Sequence, residues 1–118
     1  MAVVADFTMQ RHDRLPSIQA TLSADLTAAA SVKFIMRKAS TDGLWTPDFT
    51  PAAKVNATAT IVTPASGVVR YDWLAIDTDT AGYYVGQWQV TWTSGSKPQT
   101  FPTTTYHTIL IVADLDDA

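Results

Sequence analysis

The 118-residue chain has no cysteine and no glutamate, so its 11 acidic residues are all Asp. Without Cys there is no disulfide framework, no thiolate zinc site and no cysteine nucleophile. Without Glu the H-E-x-x-H metalloprotease signature cannot be written. A good surface helix former is also missing, which works against a helical protein. Charge is sparse: 16% of residues are charged, against roughly 25% in an average domain. The net charge of −3 offers no basic footprint for nucleic acid. The longest apolar run, 109–113, falls far short of the roughly 20 residues that span a bilayer. Met1-Ala2-Val3-Val4-Ala5-Asp6 lacks the basic n-region of a signal peptide. Neither nucleic acid nor membrane is expected as a partner, and nothing in these residues directs export.

What is present favours strands. There are 18 Thr and 17 Ala, with four Trp and four Tyr, and Thr, Tyr and Trp suit pleated surfaces. The length fits one domain, residues 1–118, large enough for a real core. Alternation of apolar and polar residues predicts strands over 7–11, 18–22, 32–37, 55–62, 68–73, 83–92 and 104–112. Phe34 and Met36 share an inward face with Val32. Tyr71 and Trp73 do so with Val69, and Trp88 and Trp92 with Tyr84 and Val90. Phe34, Met36, Tyr71, Trp73, Trp88 and Trp92 are the expected core. The stretch 39–51, with Asp42-Gly43, Thr46-Pro47-Asp48 and Pro51, reads as an irregular connection. The pattern predicts an all-β, immunoglobulin-like antiparallel sandwich of seven to eight strands without a disulfide. Residues 1–6 would form an N-terminal arm and 114–118 an acidic tail.

The corner before the long strand carries the immunoglobulin signal. Asp79-Thr80-Ala81-Gly82-Tyr83-Tyr84-Val85 resembles the approach to strand F, where a Tyr ties the strand to the preceding turn. Alignment on Asp79 makes Tyr83 that residue and puts Val85 at the cysteine position. Alignment on Gly82 makes it Tyr84 and puts Gly86 there, which periodicity favours. Asp77, Asp79, Gly82 and Tyr84 are therefore the expected structural corner, with Asp77 accepting backbone N–H bonds.

A wider resemblance covers nearly the whole chain. Its parts, in order, begin with Phe7 to Ile18, Leu26-Thr27 before Val32-Lys33-Phe34-Ile35-Met36-Arg37, and Gly67-Val68-Val69-Arg70-Tyr71-Asp72-Trp73. Asp77-Thr78, Gly82-Tyr83-Tyr84, Val85 to Thr93, and Thr100-Phe101-Pro102 before Tyr106 to Val112 follow. In order and spacing these resemble the N-terminal immunoglobulin-like domain of phage baseplate upper proteins. No single motif is specific to that family; the seven together carry the resemblance. It implies a non-enzymatic virion protein, assembled in the host cytoplasm and docked in symmetric copies on a tail, baseplate or head. Its partners would be other virion proteins and copies of itself. The later parts of those baseplate proteins have no counterpart in this sequence, so their roles do not carry over.

No cofactor, metal site or catalytic residue is expected. His12 and His107 sit in no catalytic motif, and no G-x-S-x-G elbow exists. His107 reads as a packed or interface histidine. Asp77 and Asp79, or Asp114, Asp116 and Asp117, could offer oxygen ligands to Ca²⁺, or simply form a solvated turn and tail. Trp45 and Phe49 fall in the long connection. They could stack on a host-surface glycan or anchor a protein, which is the alternative function, a carbohydrate-binding adhesion module. Trp45 could equally fold back to cover the sandwich. The last strand is apolar on both faces, which suggests cover by a loop or by another subunit. His107, Ile109 and Ile111 are accordingly expected at an interface, together with Val3 and Val4 of the arm.

Overall fold

A computed structural model describes residues 7–22, 24–40, 44–50, 52–101 and 106–113. Val3, Val4 and the tail 114–118 lie outside these residues, so the expectations for the arm and the tail do too. The described chain is all β, with nine strands and three short 3-10 turns. The strands are β1 (Phe7–Gln10), β2 (Ile18–Thr21), β3 (Ala29–Lys38), β4 (Val55–Thr58), β5 (Thr60–Thr63), β6 (Val68–Tyr71), β7 (Gly82–Trp92), β8 (Pro98–Phe101) and β9 (His107–Val112).

Two sheets pack face to face. One runs β1-β9-β7-β3-β4, with β8 also on β7; the other runs β2-β6-β5. This is an immunoglobulin-like sandwich. Every pairing is antiparallel except the outermost one, where β1 lies parallel to β9. The longest ladder joins β3 to β7, from Ala29↔Trp92 to Lys38↔Tyr84. It places Val32, Phe34 and Met36 beside Val90, Trp88 and Gly86. The alternating apolar residues of both strands therefore point the same way, toward the second sheet.

Aromatic rings fill the space between the sheets. Phe34 is fully buried; its ring centroid lies 4.7 Å from that of Trp88, 5.3 Å from Tyr71 and 5.9 Å from Trp73. Five of the six expected core residues, Phe34, Met36, Tyr71, Trp73 and Trp88, are buried as predicted. Trp92 only borders the core, and its Nε1 donates to Gln99 at 3.0 Å.

Gly86 explains how the sandwich is built without a disulfide. A Cβ on this residue would sit 2.9 Å from two carbons of the Phe34 ring and 3.1 Å from Ile109 Cδ1. The space where an immunoglobulin cysteine would stand is occupied by the Phe34 ring, so packing replaces the bridge.

Three strand expectations need correction. The predicted strand 55–62 is two strands in two sheets: β4 pairs with β3, and β5 pairs with β6. The chain crosses between sheets at Ala59, whose N–H donates to Val32 O at 2.9 Å. Val55, Ala57, Ala59 and Ile61 all still pack on the core, so the alternation continues through the crossing and hides it. Second, β8 was not anticipated. It begins at Pro98, a residue tolerated at the start of an edge strand. It takes the end of β7 (Trp88 to Thr91), while β9 takes the beginning (Gly82 to Gly86). Third, the described residues form nine strands, against the seven to eight expected.

Candidate functional site

The corner residues come together around one carboxylate. In the turn Ala75–Thr78, the buried Asp77 accepts two hydrogen bonds on Oδ2. Tyr71 donates its hydroxyl at 2.6 Å and Leu74 its backbone N–H at 2.8 Å. Burial, then the hydrogen bond and negative charge of Asp77, push the Tyr71 hydroxyl far above its ordinary pKa. Thr78, fully buried, donates its hydroxyl to Asp13 O at 2.8 Å, and its own carbonyl accepts from His12 N at 2.9 Å. Thr78 thereby fastens the segment after β1 to the corner. Nothing in its sequence context marks this role, since a Thr between two Asp reads as solvated. Asp79 points elsewhere: Lys54 Nζ lies 2.5 Å from its Oδ1, and the Thr80 hydroxyl donates to the same atom at 2.9 Å. The Lys54 bond, then the Thr80 bond, hold this carboxyl below the ordinary range. Asp77 and Asp79 are thus engaged separately. Among the described residues no group of three His, Cys, Asp or Glu could hold a metal ion.

Tyr84 is the tyrosine of the corner. Its hydroxyl donates to Thr80 O at 2.7 Å, and Gly82, at φ +154°, starts the strand in a conformation that favours glycine. Of the two registers, the one with Tyr84 as corner and Gly86 at the cysteine position is therefore the one adopted.

The expected interface residues of the last strand are corrected. Ile109 and Ile111 are 0% and 1% exposed and belong to the chain's own core. The reason is register: Ile109 pairs with Tyr84 and Ile111 with Gly82, and paired residues share a face, so they point inward with Tyr84. His107 is half-buried, and its Nε2 accepts the indole N–H of Trp88 at 2.8 Å. It satisfies a donor that the core would otherwise strand.

The other face of the strand is covered by Trp45. This residue is buried, its ring stacked on Tyr83 at 5.0 Å between centroids. Trp45, Ala39 and Val85 form a second small apolar cluster, with Tyr83 and Leu110 packed against it. The backbone reaches this arrangement through φ +55° at Trp45, a costly conformation for a bulky residue. Trp45 is therefore no exposed platform, and the expectation that it stacks on a glycan is corrected.

Phe49 is exposed, at 69%. The Arg37 guanidinium lies over its ring, 5.0 Å from the centroid, in cation–π range. Beside it, on the outer face of the larger sheet, a hollow of about 80 Å³ is lined by Ile35, Arg37, Phe49, Gln87 and Tyr106, among others. Small-molecule pockets run from about 300 Å³ upward, so this hollow suits a single protruding side chain. An aromatic rim with a guanidinium and an amide is the chemistry of a protein contact.

No family model, curated protein or solved structure matches this chain. No helix among the described residues is long and apolar enough to cross a membrane.

A second hollow, near His12, Arg14, Ser17, Asp72 and Trp73, brings a Ser, a His and an Asp to one place. There the Ser17 hydroxyl donates to Asp72 Oδ1 at 2.6 Å, and Arg70 Nε lies 3.1 Å from the same oxygen. The Ser17 bond first, then Arg70, keep the Asp72 carboxyl below its usual range. This contact ties Ser17 to Asp72 beside the Ile18↔Tyr71 pair. It is a brace between β2 and β6.

Proposed function

We propose that this chain is a non-catalytic structural protein of a bacteriophage virion. Its immunoglobulin-like sandwich docks in multiple copies on the tail, baseplate or head, against other virion proteins. The ordered series of seven sequence features along the chain supports this reading. The observation that carries the docking mode is the outer face of the larger sheet, where exposed Phe49 and half-exposed Tyr106 rim the hollow by Gln87. That face replaces Ile109 and Ile111 as the contact, since those two are buried.

The test is incorporation into particles. Phe49→Asp with Tyr106→Asp should abolish recovery of the chain in purified virions by mass spectrometry, while the isolated domain keeps its thermal midpoint. Virions that lack the unsubstituted chain would remove the structural role altogether. Normal incorporation of the double variant would move the contact off this face.

A further inference from the structure

One margin of the sandwich is an open edge. The chain from 55 to 63 forms the outermost strand of both sheets there, β4 in one and β5 in the other. Each has a single ladder partner, and no other described segment hydrogen-bonds to the outer side of either. Edge strands present a row of unpaired N–H and C=O groups, and proteins normally guard them with Lys, Pro or a bulge. From Val55 to Thr63 there is no charged residue and no proline. β5 has one guard, a register shift between Ile61 and Thr63. β4, four residues long, carries no charge, proline or bulge: its pairing with β3 steps evenly from Lys33↔Thr58 to Met36↔Val55.

We propose that β4 is a self-association edge, at which two copies of this chain pair antiparallel across a two-fold axis. The larger sheets of both copies then become one continuous sheet. A row of backbone donors and acceptors at strand spacing is matched only by another strand. The side chains say which strand. Paired residues must share a face, so a two-fold centred on Ala57 sets Ala57 against itself and Asn56 against the partner's Thr58. Asn56 and Thr58 are exposed and uncharged, and Ala57 is half-buried, so nothing in this register repels. The cations that flank β4 along the chain and across its ladder are also out of the way. Lys54 is tied to Asp79. Lys33 pairs with Thr58 and Ile35 with Asn56, so a row across the join reads Lys33, Thr58, the partner's Asn56, the partner's Ile35. The Lys33 side chains of the two copies therefore lie in different rows. The closed two-fold uses the β4 edges of both copies at once and leaves no free β4 edge to propagate. The pairing does not depend on the virion reading, because its partner is the chain itself.

Sedimentation of the purified chain over a range of concentrations is the test. The unsubstituted chain should show a monomer–dimer equilibrium. Asn56→Lys with Thr58→Lys sets Lys against Lys twice, and should raise the dissociation constant about tenfold or more. Asn56→Asp with Thr58→Asp should do the same. An equimolar mixture of the Lys and Asp variants should restore the dimer as a heterodimer. Amide hydrogen exchange of the unsubstituted chain gives an independent reading, with protection at Val55–Thr58 rising with concentration. A chain that stays monomeric throughout, a Lys variant that dimerises as tightly as the parent, or exchange at β4 that ignores concentration would each overturn the proposal.

Discussion

Tyr71 donates to the buried Asp77, and this one bond has a pH signature. The folded state raises the hydroxyl well above its ordinary value of 10.0, chiefly by burial and then through Asp77. A group whose folded pKa is raised contributes stability that is complete below the unfolded pKa and is lost as pH climbs toward the folded one. The thermal midpoint should therefore fall as pH rises above about 10, because the unfolded chain ionises Tyr71 while the folded one does not. Tyr71→Phe should flatten that alkaline decline, and an unchanged slope in the variant would show that Tyr71 is not its source. At this scale some residues were legible in advance and others were not. Tyr84 was legible because it shares a period-two face with Trp88. Thr78 was not, because its partners Asp13 and His12 are about 65 residues away in sequence, and periodicity carries no long-range information.

At the scale of elements, the segment that carries Trp45 acts as a cover for the outer face of β7 and β9. Its indole lies over Tyr83 and beside Val85 and Leu110, while its Nε1 is buried without a hydrogen-bond partner among the described residues. Trp45→Ala should lower stability by about 2–4 kcal/mol, since it uncovers this cluster. Trp45→Phe should lose much less, because the ring remains and no hydrogen bond is broken. Chemical denaturation of both variants checks the difference; equal losses would mean that the indole N–H is satisfied after all. The two-sided apolar pattern of the last strand correctly called for a cover. What composition could not say is that the cover comes from the same chain, since a loop and a neighbouring subunit bury Leu110 equally well. The split of 55–62 into β4 and β5 was hidden for a related reason. A strand that changes sheets at the sandwich margin keeps its alternating face inward throughout, so the pattern looks unbroken.

For the whole molecule, the opening absences acquire a structural account. Lack of Cys is matched by the Phe34 ring occupying the space at Gly86. Scarce charge extends to the sheet margins, where β1, β2, β4 and β5 contain no charged residue at all. The fold class and most of the core were legible in alternation alone, whereas the arrangement of edges was not, because pairing order depends on contacts between distant segments. The candidate contact at Phe49 was half legible. The sequence marked an aromatic in a loop, but gave no sign that Arg37 lies over it or that Tyr106 stands across the hollow.

The parallel pairing of β1 with β9, Phe7↔Ile109 through Gln10↔Val112, sets how the domain would bear load. Tension applied before Phe7 and after Val112 pulls these neighbouring strands along their length in opposite directions. All the bonds between them are then strained together, rather than opened one after another as in a zipper. Single-molecule pulling through those two points should need clearly more force than pulling across the β7–β8 hairpin, where the ladder opens from one end. Equal forces in the two directions would show that the β1–β9 pair is not the mechanical clamp. A module gripped at its two ends in this way is a stiff link, able to transmit force between whatever is attached on either side without coming apart.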